Sequence, residues 1–589
     1  MKFMIVMAYQ YSKLLNEAED VRLLTLLPGS FDDVIRITIS HIRLTKPALL
    51  PTSVQQQPSL EELQRTLPPF WKVYETLEGQ YLYEQVEDDY TTWTHPDPEV
   101  PLPAYMPWQR ETSSASPHQY EALSYTWGSF DRPVTIRVES NLNGGSWLTL
   151  QIQRNLAEAL RHLRYPDKCR LLWVDAICIN QKDVGERNSQ VLRMADIYTS
   201  AIRVVVWLGA ESGSSKLAIS TLNHLGAQVE LTKNYMRLSA PGSEQPSWYR
   251  AVCELPYETP TWQAILDLMR RPWFDRLWIV QEIQLANHRA VMQCGFEEIS
   301  WSQFRKAAIC LDTKLKLPSE ELSSRILFVS NLSRPLTDRS FPSLLYVSSG
   351  RLCSDPRDHV YGLLGLASPT AASRIRPQYS TTVTSLYKET VEFLLSQTKR
   401  LNFLEECSAR RSRIHQLPSW VPDWSAPRER IAFLGGGLGG RLASGLSCAD
   451  ARFLPENVLE ASGVQSTIVR SVKGPAPKDA DQALAAIQSW APGGVQTALY
   501  PTGESLLDAF ASALVMNRFR NRVQSSAISN VAEWKKELLD HLSKPPGSAG
   551  EEIAAKKKHI LDYLKGMVFI TVEDGYFGLA TSNVEPGKN

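Results

Sequence analysis

Net charge, long apolar runs, paired cysteines and clustered histidines are all missing from this 589-residue chain. Lys plus Arg number 63 and Asp plus Glu number 63, whereas a protein whose main task is to grip a nucleic-acid backbone carries a basic excess. No nucleic-acid partner is expected. No apolar run approaches the roughly 18 residues that a membrane-spanning helix needs, so no membrane span is expected either. The opening Met1–Ala8 imitates a signal peptide, but its apolar stretch is short and Gln10 and Lys13 follow at once, so it reads as ordinary chain. The eight cysteines are scattered from Cys169 to Cys448 with no Cys-x-x-Cys pair. That pattern fits reduced thiols and a cytoplasmic location. The ten histidines are spread too thinly for the local signature of a zinc site. Also absent are a Gly-x-Ser-x-Gly elbow, a Walker A loop, a His-Glu-x-x-His helix and any internal repeat. Gly435–Gly440 formally satisfies Gly-x-Gly-x-x-Gly, but no strand–turn–helix unit surrounds it, and it reads as a flexible loop.

What the chain does have is the composition of a folded protein, 43% hydrophobic and 21% charged, with enough length for about four units. Residues 1–48 read as a β-rich lead, with Val21–Leu24 and Ile35–Ile39 on either side of a Pro28-Gly29 turn. Residues 49–117 lack periodicity and read as an irregular surface insertion with one helix near 59–66. From Tyr120 structure becomes dense. Tyr120–Tyr125 reads as a strand, and Val134–Val138 and Trp147–Leu150 flank Asn143-Gly144, a hairpin signal. Leu156, Ala159, Leu160 and Leu163 recur at helical spacing. Two continuous apolar runs, Leu171–Val174 and Val204–Leu208, are separated by a helix over about 186–201, which makes a βαβ unit with parallel strands. The stretch 211–260 is less regular, a helical block follows from Pro272 to Ala286, and Arg289–Cys294 reads as the next strand. The expected class is therefore α/β, with an open, mainly parallel sheet flanked by helices over 118–296. A mainly helical region over 297–425 and a mixed α+β region over 426–589 follow.

Four clusters are candidates for chemistry: Tyr120–Gly128, Leu172–Gln181 continuing to Glu186–Ala201, Arg271–Glu282, and Asp355–Leu366. In an open α/β sheet, ligands bind beyond the carboxyl ends of the strands. Ser124, Tyr125, Trp127 and Gly128 fall at one such end, and Asp175, Asn180 and Gln181 at another. Aromatic rings and polar groups converging there suit a flat, hydroxylated ligand such as a nucleotide. Glu282 stands one helical turn after Trp278, among Ile279, Ile283 and Leu285. Desolvation there would raise its pKa and fit it for catalysis. The competing role for Glu282 is an ion pair with Arg276 or Arg187 that fixes the helix. For the tryptophans, Trp273 included, the competing role is core packing.

Taken together, the clusters resemble the fungal heterokaryon-incompatibility (HET) domain. The family pattern runs Tyr-x-Ala-Leu-Ser-Tyr-x-Trp-Gly, Trp-Ile-Asp-Ala-x-Cys-Ile-Asn-Gln, Glu-Arg-x-x-Gln-Val-x-x-Met-x-x-Ile-Tyr-x-x-Ala and Trp-Phe-x-Arg-x-Trp-x-x-Gln-Glu. This chain matches it at Tyr120–Gly128, Trp173–Gln181, Glu186–Ala201 and Trp273–Glu282, with Val174 for Ile. The resemblance implies a role in non-self recognition and programmed cell death, and a core similar to TIR domains, hence a flavodoxin-like sheet. It also implies NAD as a substrate rather than a resident cofactor. Some TIR domains cleave NAD with a glutamate four residues after a tryptophan, and Trp278 to Glu282 has that spacing. Glu282 would then be catalytic. Ser124, Tyr125, Trp127, Gly128, Asp175, Asn180, Gln181, Arg187, Trp273, Arg276 and Trp278 would line the substrate site.

A homo-oligomer through the HET domain and an incompatibility partner protein are implied as well. One departure stands out: the family's final hairpin runs into Pro-Gly-Asp and a further strand, where this chain has Pro586-Gly587-Lys588-Asn589. A truncated or degraded C-terminal unit is expected from it. A non-enzymatic scaffold that acts by self-association is the alternative, and a non-functional remnant a third reading.

Overall fold

Strands buried on both faces read as unbroken apolar runs, and three such runs form the centre of the main sheet. The computed structural model describes residues 7–17, 19–44, 58–100, 119–129, 131–140, 146–314, 316–337, 339–408, 414–426, 447–464, 466–477, 480–515, 531–545, 561, 564, 566–581 and 584–587. The chain divides into two compact units, residues 1–396 with 424–426, and residues 397–423 with 427–589. The Asn143-Gly144 turn, Gly435–Gly440, most of 551–565 and Lys588-Asn589 lie outside the described residues.

The first unit is built on a nine-stranded sheet of order β14-β13-β10-β6-β9-β1-β2-β7-β8. Its strands are β1 (Asp20–Leu26), β2 (Arg36–Arg43), β6 (Glu121–Tyr125), β7 (Val134–Ser140), β8 (Ser146–Ile152), β9 (Arg170–Trp173), β10 (Arg203–Trp207), β13 (Val291–Cys294) and β14 (Glu297–Ser300). The block β13-β10-β6-β9 is parallel. Antiparallel pairs at β13–β14, β9–β1, β1–β2 and β7–β8 extend it on both sides, and β2–β7 is again parallel. Helix α1 (Arg154–Leu163) buries Leu156, Ala159, Leu160 and Leu163, the residues its periodicity selects. Helices α2 (Asp175–Cys178) and α3 (Val184–Ser200) carry the chain from β9 over to β10. Asp183 caps α3 by accepting from the Glu186 amide at 3.1 Å.

The N-terminal lead is not a separate piece. Its two strands sit inside the sheet, with Leu24–Leu26 opposite Leu172–Arg170 of β9. Pairing across some 150 residues has no local sequence signal. The insertion is also more ordered than its composition suggests. A helix over Leu60–Thr66 carries a capping box between Ser59 and Glu62, and β3 (Trp71–Glu75), β4 (Tyr81–Gln85) and β5 (Tyr90–Thr92) form a small antiparallel sheet. Thr76 bridges to Thr232 beside a second hairpin, β11 (Val229–Leu231) and β12 (Arg237–Ser239). A helix over Ser215–Ala227 occupies part of the stretch that reads as irregular.

The expected helix from Pro272 to Ala286 is split. Pro272–Asp275 is a single tight turn, Arg276 is extended, and α4 (Ile279–Gln284) follows. The break has a backbone cause: Leu277 N–H donates to the Leu352 carbonyl at 2.8 Å and Leu352 N–H to that of Asp275 at 2.6 Å. A neighbouring segment takes the groups that a continuous helix would have bonded internally.

The second unit holds a three-stranded antiparallel sheet, β17 (Val469–Lys473), β18 (Met567–Val572) and β19 (Phe577–Thr581), and a separate hairpin of β15 (Ala451–Leu454) and β16 (Val458–Ala461). Its core gathers Ile487, Trp490, Phe510, Trp534 and Phe569. No described helix is long and apolar enough to cross a membrane.

Candidate functional site

Ser124 sits near the carboxyl end of β6, the strand at the middle of the parallel block, and is fully buried. Its hydroxyl donates to the Glu282 carboxylate. The same oxygen accepts from the Trp273 indole N–H at 2.8 Å. Two segments about 150 residues apart in sequence therefore meet at one oxygen. Arg276, in the extended break before α4, donates to the Tyr125 carbonyl. Its guanidinium favours the charged form of both Glu282 and Asp175. Asp175 begins α2 at the end of β9; one carboxylate oxygen accepts from the Ala176 amide at 2.7 Å and the other from the Trp127 indole at 2.8 Å. The Tyr125 hydroxyl faces Asp175 without reaching hydrogen-bond geometry.

The electrostatics follow from burial. Glu282 is 1% exposed. Burial pushes its carboxyl up to about 7, and the nearby Arg276 and the Ser124 hydrogen bond only partly offset that. Asp175 is also raised, chiefly by burial. Two carboxylates with raised pKa values beside one arginine form the kind of constellation found where proton or charge stabilisation matters. No ion pair joins Glu282 to Arg276 or Arg187 among the described residues.

The structure thus brings together Ser124, Tyr125, Trp127, Asp175, Trp273, Arg276 and Glu282. It places the other candidates elsewhere. Gly128 is an exposed turn residue at φ +78°, next to Asn155. The Asn180 amide donates to Glu186 at 2.7 Å, and its side chain accepts from the Lys182 amide at 3.3 Å. The Gln181 side chain supports the Asp175 carbonyl at 3.0 Å. Arg187 lies 4.4 Å over the Tyr379 ring. Although the Glu282 amide bonds the Trp278 carbonyl at 3.2 Å, the Trp278 indole donates to Asp358 at 3.0 Å rather than to the Glu282 cluster. Two supporting residues were not among the expected site residues. Asn155 ties the Thr126 carbonyl at 2.5 Å to the Trp207 indole at 3.2 Å. Buried Tyr198 holds the Leu123 carbonyl at 3.1 Å behind the cluster.

This cluster falls within a stretch that can be assigned. The sequence model of the family described as heterokaryon incompatibility protein (HET) matches residues 120–282, the span from the start of β6 to the buried glutamate. Over these residues the chain is similar to HET domains. It is also similar to heterokaryon incompatibility protein 6, OR allele, of Neurospora crassa, with 30% identity over 367 residues. That alignment covers 52% of this chain and 54% of the Neurospora protein, so the chain spans about half the length of the curated relative it matches. No solved structure matches. The HET-domain boundaries coincide with the chemistry of the cluster but not with the sheet, because β1, β2, β13 and β14 lie outside them.

Proposed function

We propose that this protein acts in heterokaryon incompatibility and that its HET domain, with a TIR-like core, executes the response by hydrolysing NAD at the nicotinamide–ribose bond. The HET match and the name of the Neurospora relative support the first part. The observation that carries the second is the meeting of Ser124 and Glu282 at the carboxyl end of a central parallel strand, where ligands of open α/β sheets bind.

The chemistry is balanced and needs only these side chains and water. The bond between ribose C1′ and the cationic nicotinamide ring breaks, and its electron pair leaves with neutral nicotinamide. Positive charge builds on the ribose, the ionised Glu282 carboxylate stabilises it, and water adds at C1′ with loss of a proton. In this reading Ser124 and Asp175 bond ribose hydroxyls, and Trp127, Tyr125 and Trp273 supply ring faces. A concentration series of the purified full chain with NAD tests this reading. Nicotinamide release that rises steeply with protein concentration and is lost in Glu282→Gln supports it. Self-associated protein that leaves NAD intact refutes it.

One observation favours the second reading, a scaffold that signals by self-association. Glu282 is 1% exposed and bonded to Ser124, which accepts in turn from Trp273, as in a structural cluster. In that case sedimentation reports concentration-dependent assembly and Glu282→Gln leaves it unchanged.

A further inference from the structure

The cluster Asp355–Leu366 contributes nothing to the group around Ser124, yet it is fastened to the helix that carries Glu282. Asp358 opens helix α5 (Asp358–Tyr361) and is buried. One of its carboxylate oxygens accepts from the Trp278 indole at 3.0 Å, the other from the Tyr379 hydroxyl at 2.6 Å. Tyr379 is held in turn: its amide donates to the Asn188 side chain at 3.4 Å, and the guanidinium groups of Arg187 and Arg357 lie 4.4 and 5.3 Å over its ring. Arg357 is forked onto Asp355 at 2.8 and 2.7 Å and reaches the Thr381 carbonyl at 2.8 Å. Further along, the Gly365 amide donates to the Gln281 side chain at 3.2 Å. A Cβ at Gly365 would fall 2.6 Å from that amide group and 2.9 Å from the Ala195 Cβ. Only glycine allows this approach.

We propose that residues 351–381 are an autoinhibitory strap over α4, caught by the hydrogen bond from Trp278 to Asp358, and that its release opens the way to Glu282. The strap deepens the reading of Glu282 as the reactive group, and only its consequence for activity rests on that reading.

Two features separate a catch from ordinary packing. The first is position. The Glu282 amide bonds the Trp278 carbonyl at 3.2 Å, so Trp278 and Glu282 share the first turn of α4 and move together. The second is chemistry. Asp358 meets two neutral donors and no ion-pair partner among the described residues. Burying a carboxylate on such terms is a weak way to join two elements, since desolvation offsets much of the gain. Burial lifts its carboxyl to about 6; the Tyr379 and Trp278 hydrogen bonds oppose the rise, Asp355 adds to it, and Arg187 opposes it more weakly.

Hydrogen exchange of the full chain tests the strap. In Asp358→Ala, amides of 277–285 exchange at least about tenfold faster than in wild type, the factor that follows from losing hydrogen bonds to a charged group. Amides of β6 and β10 keep their wild-type rates, and Tyr379→Phe, which leaves the Trp278 bond in place, gives a smaller effect. Nicotinamide release from NAD rises in the same order. Faster exchange with NAD left intact supports the strap and sinks the hydrolase reading. Unchanged exchange at 277–285 in a folded variant overturns the strap. Should Asp358→Ala not fold, Trp278→Phe removes only the indole donor, and the same two outcomes decide.

Discussion

Arg22, in the first strand of the chain, lays its guanidinium against Glu186 at 2.5 and 3.0 Å, with both side chains buried. The arginine also donates to the carbonyls of Cys178 at 3.1 Å and Ser12 at 2.7 Å. Glu186 belongs to the HET-domain motif, and its partner lies about a hundred residues before that domain begins. Arg22→Ala leaves the glutamate buried without its counter-charge, a loss of about 3–5 kcal/mol. Urea unfolding of the variant should report that loss. A fragment confined to 118–296 should fail to give a cooperative transition, because it lacks this arginine and exposes the edge of β9.

Glu282 should make the protein's stability depend on pH in a defined direction. Burial raises its carboxyl from the ordinary 4.5 to about 7. A raised carboxyl favours the fold while protonated, so this contribution is complete below pH 4.5 and disappears as pH climbs through about 7. Across that window the wild type should lose ~3 kcal/mol relative to Glu282→Gln, whose amide does not titrate. Parallel denaturation curves at pH 4.5 and pH 8 check the sign. A constant gap between the two proteins contradicts it.

Gly226 sits inside the helix Ser215–Ala227, where propensity alone favours alanine by about 1 kcal/mol. A Cβ there would run into the backbone carbonyl of Gln303 on the crossing helix Trp301–Leu311. A backbone carbonyl cannot swing away as a side chain can, so overpacking of about 1–3 kcal/mol outweighs the propensity gain. Gly226→Ala should melt below the wild type, and a rise in melting temperature would show that the two helices can separate freely.

Much of this architecture was legible because its signals are local. The runs Leu171–Val174 and Val204–Leu208 contain most of β9 and of β10, and the spacing of Leu156, Ala159, Leu160 and Leu163 is the buried face of α1. The long-range facts were not legible. Nothing in Val21–Leu24 tells that it pairs with β9 rather than forming its own lead, and the break at Arg276 is imposed by Leu352, about 75 residues later. The site divides in the same way. The carboxyl-end positions of Ser124 and Asp175 and the motif ending at Glu282 brought the three into one expectation, and their side chains do converge. Helical spacing joins Trp278 to Glu282 through the backbone, but a residue that caps a short helix directs its side chain by its neighbours, and Trp278 turns to Asp358.

The most direct measurement is chromatographic detection of nicotinamide after the wild-type chain and Glu282→Gln are incubated with NAD at matched, high protein concentration. Product is expected from the first and none from the second, with both proteins equally folded. Equal product from both, or none from an assembled wild type, removes Glu282 from the chemistry.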